Sequence, residues 1–158
     1  MCHVILVVED REDTSDLIEF ALQNAGYGTM STKYGKSALR MLSGIDAVLL
    51  DIMLPDLNGI DVLKAIRAKK ANKGIKVILF TAAKFSELEQ KKFLKMGASA
   101  FISKPIALKD LIAKLKVILM KKPAGANVAA AKKKPEAKKS KKSAKKPAKK
   151  ASAKKRKK

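Results

Sequence analysis

Four short apolar runs each end on residues able to do chemistry: VILVV before Glu9 and Asp10, AVLL before Asp51, VILF before Thr81, and AFIS before Lys104. Runs this short, β-branched and free of polar interruptions read as strands buried on both faces, the habit of a parallel sheet. The crevice beyond the carboxyl ends of such strands is where open α/β sheets bind ligands. Carboxylates, a hydroxyl and an amine converging on that edge suit a divalent metal and a phosphoryl group.

The segments between the runs read as helices and one weak strand. Asp13 or Thr14 can cap a helix to about Ala25, with Leu17, Ala21, Leu22 and Ala25 inward and Gly26 ending it. Gly28–Thr32 is polar, as expected of an edge strand. A short helix over Lys36–Leu42 precedes strand Ala47–Leu50, and Asn58-Gly59 opens a helix through Ala68 carrying Ile60, Leu63, Ala65 and Ile66. Strand Lys76–Phe80 follows. Ser86 and Glu89 form a capping box for a helix reaching Met96. After strand Ala100–Ile102, Leu108, Leu111, Ile112, Leu115 and Leu119 mark one face of a last helix. Five strands alternating with five helices predict a doubly wound α/β sandwich.

Composition divides the chain. Residues 1–120 hold 18 Lys/Arg and 13 Asp/Glu, a net +5, while residues 121–158 hold 18 Lys/Arg and only Glu136, a net +17. The first part is long enough for one core. The second has no Leu, Ile, Phe or Tyr and only Val128 beyond Ala, so it cannot offset its ordering entropy and reads as a disordered polycation. The linker begins near Lys121. A single cysteine, Cys2, excludes an intramolecular disulfide and suits a reducing cytoplasm; beside His3 it makes no metal site, for want of further soft ligands. No stretch approaches the ~20 apolar residues of a membrane helix, and MCHVILVVED is too short and too acidic at its end for a signal peptide. The expectation is a soluble, unexported protein.

Glu9-Asp10, then Asp51-Ile52-Met53-Leu54-Pro55-Asp56-Leu57-Asn58-Gly59, then Thr81-Ala82, then Lys104-Pro105 stand in order, each at a strand end. On these residues the first 120 positions resemble a receiver domain of a two-component response regulator. The resemblance implies a flavodoxin-like sheet of order 2-1-3-4-5. It implies Asp51 as phosphoacceptor, a carboxylate nucleophile that forms an acyl phosphate, with a phosphohistidine on a sensor kinase or phosphotransfer protein as donor. Acids beside Asp51 would repel a phosphoryl group unless a cation intervened. Asp10 and Asp51, with Glu9 through water, therefore read as a Mg²⁺ site, to which the resemblance adds the carbonyl of Met53. Lys104 supplies a point charge for a phosphate oxygen, and the resemblance implies a cis bond to Pro105.

Thr81 and Phe101 read as the switch. The hydroxyl is drawn toward a phosphoryl oxygen, and the ring takes the space vacated; the resemblance implies Tyr or Phe there, and Phe101 lacks the hydroxyl that a tyrosine would offer. The responding surface is helix 86–96, strand 100–102 and helix 107–120, through which a phosphorylation-dependent homodimer can form. Met53 and Ala83 flank the path of an attacking water, and neither can orient it. The chain is thus expected not to be an enzyme beyond self-phosphorylation from small donors and slow autodephosphorylation.

The tail KKKPEAKKSKKSAKKPAKKASAKKRKK resembles those of linker histones and bacterial histone-like proteins. Its cations are Lys132, Lys133, Lys134, Lys138, Lys139, Lys141, Lys142, Lys145, Lys146, Lys149, Lys150, Lys154, Lys155, Arg156, Lys157 and Lys158. Pro123, Pro135 and Pro147 discourage a continuous helix, and no aromatic residue is there to stack on bases. Such a segment contacts nucleic-acid phosphates without reading sequence; membranes and acidic proteins are lesser candidates, and a solubilising or nuclear-import role at KKRKK is the plainer reading. Two functions follow: a phosphorylation-controlled switch tethered to nucleic acid, cytoplasmic or nucleoid-associated, or a histone-like architectural protein whose receiver is an unphosphorylated head or dimerisation module. The intact set Glu9, Asp10, Asp51, Thr81 and Lys104 favours the first.

Overall fold

The β-branched runs pair side by side into one all-parallel sheet of order β2-β1-β3-β4-β5, built from β1 (Val4–Val8), β2 (Gly28–Thr32), β3 (Ala47–Leu50), β4 (Lys76–Thr81) and β5 (Ala100–Ser103). The structure is a computed structural model and describes residues 3–120. Cys2, the linker from Lys121 and the basic tail lie outside the described residues. The helices are α1 (Glu12–Asn24), α2 (Gly35–Ala38), α3 (Gly59–Ala68), α4 (Glu87–Lys95) and α5 (Leu108–Met120), with a 3₁₀ turn at Lys70–Asn72. This is the flavodoxin-like doubly wound fold.

Alternation along each strand divides the core in two. Leu6, Val8, Val48, Leu50, Val77 and Leu79 face α3, where Val62, Leu63 and Ile66 are fully buried. Ile5, Val7, Leu49 and Ile78 face the other way, onto Ile18 and Leu22 of α1 and Leu111 and Leu115 of α5. Because both faces of the central strands are covered, polar side chains there gather at the strand ends, while the edge strand β2 stays polar. Among the described residues no helix is long and apolar enough to cross a membrane.

Three sequence expectations change. The inward face of α1 is Ser15, Ile18 and Leu22, whereas Leu17 is 54% exposed and Ala25 is also exposed. Leu17 and Ile18 are adjacent, so either can anchor an apolar stripe at i, i+4; only the approach of the sheet chooses between them. The α1 cap is Arg11, with no side-chain cap bond, two or three residues ahead of the expected Asp13 or Thr14. The second helix is one turn, Gly35–Ala38, and not Lys36–Leu42. Its continuation tightens into three-residue turns, Arg40 N–H to Ser37 C=O at 3.0 Å and Met41 N–H to Ala38 C=O at 3.1 Å. The capping box at Ser86 and Glu89 is present in full, the hydroxyl accepting from the Glu89 amide and the carboxylate from the Ser86 amide.

Replacing Ile18 by Ala should cost about 2–5 kcal/mol in urea unfolding, as for other buried aliphatic truncations. The same change at Leu17 should cost no more than about 0.5 kcal/mol, since its side chain is largely solvated. Equal losses at the two positions would contradict the observed face of α1.

Candidate functional site

Parallel register carries four strand ends to one place. Val8 lies opposite Leu50, Leu50 opposite Leu79, and Thr81 opposite Ser103, so Glu9, Asp10, Asp51 and Lys104 fall just past the ladder and Thr81 is the last residue of β4. Backbone bonds hold the overhang: Asp51 N–H to Val8 C=O at 2.9 Å, Lys104 N–H to Thr81 C=O at 2.8 Å, and Glu9 N–H to Thr32 C=O at 3.2 Å. Glu9, Asp51 and Thr81 are buried, at 1%, 6% and 0% exposure, while Asp10 faces solvent.

The three carboxylates Glu9, Asp10 and Asp51 offer oxygens that all lie within 4.8 Å of one another. Lys104 is the cation that makes this crowding tolerable. Its ammonium donates to Asp51 Oδ2 at 2.6 Å and to Glu9 Oε2, and lies 4.6 Å from the centroid of the Phe80 ring. The second Asp51 oxygen, Oδ1, accepts the Met53 amide at 3.0 Å. The other Glu9 oxygen, Oε1, is buried and has no hydrogen-bond partner among the described residues. Burial pushes the Glu9 carboxyl above its ordinary range; Lys104 opposes that shift, and Asp51 and Asp10 add to it. An orphaned carboxylate oxygen among three clustered acids is a donor set fit for a hard cation with oxygen ligands.

The loop carrying Asp51 is pinned from two sides. A Cβ at Gly59 would sit 2.2 Å from the Asp51 carbonyl oxygen, so only glycine lets α3 start this close to the acceptor. Asn58 caps α3 by accepting the Ile60 amide at 2.8 Å. Asp56 reaches the start of α2, accepting the Gly35 amide at 2.7 Å and the Lys36 amide at 2.9 Å. Those amide bonds, Lys36 first, hold its carboxyl below the usual range. Asp56 lay inside the quoted motif, but nothing in the sequence marks a partner 21 residues away.

Met53 is 66% exposed beside the pocket, and the amide of half-buried Ala83 donates to Thr81 Oγ1 at 3.2 Å. The Lys104–Pro105 bond is cis. Phe101, read from the sequence as the switch ring, belongs to an aromatic cluster. It packs edge-on to Phe85 at 5.9 Å between centroids and stacks with Phe93 at 6.2 Å, and Phe85 meets Phe93 edge-on at 5.1 Å. Sequence reasoning missed Phe85 and Phe93, because Phe85 lies in the loop before α4 and helical periodicity does not carry across that boundary. The expected nucleic-acid contacts at Lys132 to Lys158 lie outside the described residues.

A twisted parallel sheet with an acid cluster and a lysine at its carboxyl edge defines a class of phosphoryl-handling α/β domains. Within that class, the sequence model of the response regulator receiver domain matches residues 5–116, and the chain belongs to that family. Sensory transduction protein RegX3 of Mycolicibacterium smegmatis is 38% identical over 117 residues, 73% of this chain and 50% of the relative. An uncharacterized transcriptional regulatory protein of Bacillus subtilis, YrkP, is 40% identical over 116 residues, 73% of this chain and 48% of the relative. The chain thus spans about half the length of the curated relatives it matches. A CheY-like receiver domain protein from Methanospirillum hungatei superposes with a TM-score of 0.67 at 31% identity, covering 75% of this chain and 94% of that one. Receiver domains of this family serve two-component signalling by phosphorylation, with histidine kinases or phosphotransfer proteins as partners and Mg²⁺ in an acidic pocket.

The raised Glu9 carboxyl has a consequence for metal-free protein. The folded chain holds that proton more tightly than the unfolded chain, so this group's contribution to stability falls as pH climbs from the ordinary glutamate range, about 4.3, through the raised value. Glu9→Gln mimics the protonated form. In EDTA it should match wild type below about pH 4 and be the more stable of the two at neutral pH, as read by thermal melts. A variant less stable than wild type at pH 7 would refute this.

Proposed function

We propose that the chain is a phosphorylation-controlled switch in which Asp51 accepts a phosphoryl group from a sensor histidine kinase or phosphotransfer protein, and in which the basic tail tethers the switch to nucleic acid. The observation that carries the first half is the Asp51 carboxylate, buried at the sheet edge with one oxygen on the Met53 amide and the other on the Lys104 ammonium. A carboxylate oxygen of Asp51 attacks phosphorus, the P–N bond to the donor imidazole breaks, and an acyl phosphate remains. Asp10 and Asp51, Glu9 through water and the Met53 carbonyl would hold Mg²⁺. When bound, that ion offsets the negative charge that the three acids present to an incoming phosphoryl group.

The side chains of this pocket have separable tasks. Lys104 already lies against Asp51 and pairs with a phosphoryl oxygen as a point charge. Thr81 Oγ1 accepts the Ala83 amide, which leaves its own O–H to donate to the phosphoryl group. Phe101 answers that movement, and the face of α4, β5 and α5 relays it, with homodimerisation through that face as one route. Apart from self-phosphorylation by small donors and slow loss of the phosphate, the domain is a switch and not an enzyme. The charge of residues 121–158, +17 by sequence, supports nucleic acid as the tail's partner, and with it a cytoplasmic, nucleoid-associated protein.

The decisive experiment is incorporation of label from acetyl phosphate with Mg²⁺. Asp51→Asn should abolish hydroxylamine-labile phosphate, because the amide is not a competent nucleophile, and Asp10→Ala should slow incorporation severely. An Asp51→Asn variant that labels like wild type would end the assignment.

Phosphate lifetime gives a second check. With Met53 and Ala83 unable to orient water, the aspartyl phosphate should persist, and a Met53→Asn, Ala83→Glu double variant should lose it faster. The reading fails if the double variant decays at the wild-type rate.

For the tail, removal of residues 121–158 should weaken duplex DNA binding by at least about 10²-fold at physiological salt, with acetyl-phosphate labelling retained. Tight salt-sensitive binding by the shortened chain would show that the tail is not the main tether.

A further inference from the structure

The charge of the folded domain is divided between the two ends of its sheet. At the carboxyl ends, residues 9–13 hold four acids and one base. At the opposite pole lie the loops that enter β3 and β4. Residues 67–76 of the second loop hold five cations, Arg67, Lys69, Lys70, Lys73 and Lys76, and no acid. Arg40 comes from the first loop, and the two loops line one open groove of about 460 Å³. The single acid in these two segments is Asp46. It is turned back on the strand, accepting the Val4 amide at 2.8 Å and pairing with His3 at 3.5 Å.

The basic loop is built around Arg67. Its half-buried guanidinium donates to the carbonyls of Gly97 at 2.8 Å, Asn72 at 3.1 Å and Ile75 at 2.9 Å, and has no carboxylate partner among the described residues. Three carbonyls on two connections fix the turn Lys70–Asn72, and Lys69, Lys70 and Lys73 are left exposed with no ion pair among the described residues. None of the large exposed apolar side chains falls within residues 39–46 or 67–76, so the loops have nothing to insert into a lipid layer. A fixed, wet, acid-free cluster of ammonium and guanidinium groups suits a polyphosphate backbone. The helix α5 starts beyond the carboxyl end of β5 and packs back along the sheet, so its last residue, Met120, reaches this same pole, and Lys121 begins the basic sequence.

We infer that the pole bearing Arg40, Lys69, Lys70 and Lys73 is a second nucleic-acid contact, on the folded domain itself, binding backbone phosphates without sequence preference. The inference rests on the reading of nucleic acid as the tail's partner. It also gives the domain an orientation, with the acidic phosphoacceptor edge facing away from the polyanion.

The test uses the full chain and a fluorescent 20-base-pair DNA duplex (a probe length of about two turns, at 3.4 Å per pair), with binding measured by anisotropy across a salt series. The variant Arg40→Gln, Lys69→Gln, Lys70→Gln, Lys73→Gln should lower the slope of log K against log salt by about 3 to 4, near 0.9 per lost phosphate contact. Affinity should fall at least about tenfold at low salt. A control with the same loss of charge away from both the pole and the α4, β5 and α5 face, Arg11→Gln, Lys33→Gln, Lys36→Gln, Lys64→Gln, should keep the wild-type slope. Acetyl-phosphate labelling of both variants verifies their fold. An unchanged slope in the first variant, or an equal fall in the control, overturns the inference while leaving the tail's role standing. A wild-type chain that does not bind the duplex at all overturns both. Loss of binding to phosphatidylserine vesicles with DNA binding unaltered would assign the pole to a membrane and also overturn it.

Discussion

The Lys104 ammonium, held between Glu9 and Asp51 at the carboxyl edge of the sheet, is the interaction on which the site depends. Three carboxylates share that edge, two of them buried, and unpaired buried charge is among the costliest arrangements a fold can contain. One lysine just after β5 compensates acids just after β1 and β3, and it can do so only because the parallel order 2-1-3-4-5 puts those strand ends within reach. The compensation is incomplete, since one Glu9 oxygen has no hydrogen-bond partner among the described residues. That deficit is what makes the pocket receptive to a further cation.

Around this pocket the fold spends its specific contacts on the loops and leaves the strands to generic burial. Gly59 permits α3 to begin against the Asp51 carbonyl, and Asp56 ties the same loop to the start of α2. On the far side of Thr81, three phenylalanines from the β4–α4 loop, α4 and β5 form one aromatic cluster. Any displacement of Phe101 must therefore break or carry with it two ring contacts, each worth about 0.5–1.5 kcal/mol beyond burial. The aromatic cluster joins the β4–α4 loop and β5 to α4, which has no buried residue of its own.

Charge is organised on the same axis as the sheet. Acids collect at the carboxyl ends of the strands, where the pocket needs them, and the entering loops at the other pole are free to be basic. Arg67 stabilises the most basic of these loops through carbonyls alone, so its charge is not cancelled locally. For the nucleic-acid binding proposed above, this separation would keep the polyanion away from the acidic pocket, where screening over a Debye length of about 8 Å weakens their repulsion.

Much was legible in the sequence. The bounds of β2, β3 and α3 and the capping box came from local rules, because a continuous apolar run, an Asn-Gly start and a Ser-x-x-Glu pair act over a few residues. The placement of Glu9, Asp10, Asp51, Thr81 and Lys104 at strand ends followed from the same runs. What tertiary structure decided was anything requiring partners distant along the chain: Ile18 over Leu17 as the inward residue of α1, the one-turn α2, the attachment of Asp56 to α2, and the union of Phe85, Phe93 and Phe101. The Lys104–Glu9 contact spans 95 positions. Periodicity records which residues can share a face, but which face meets the core, and which charge meets which, are set only when the whole sheet closes.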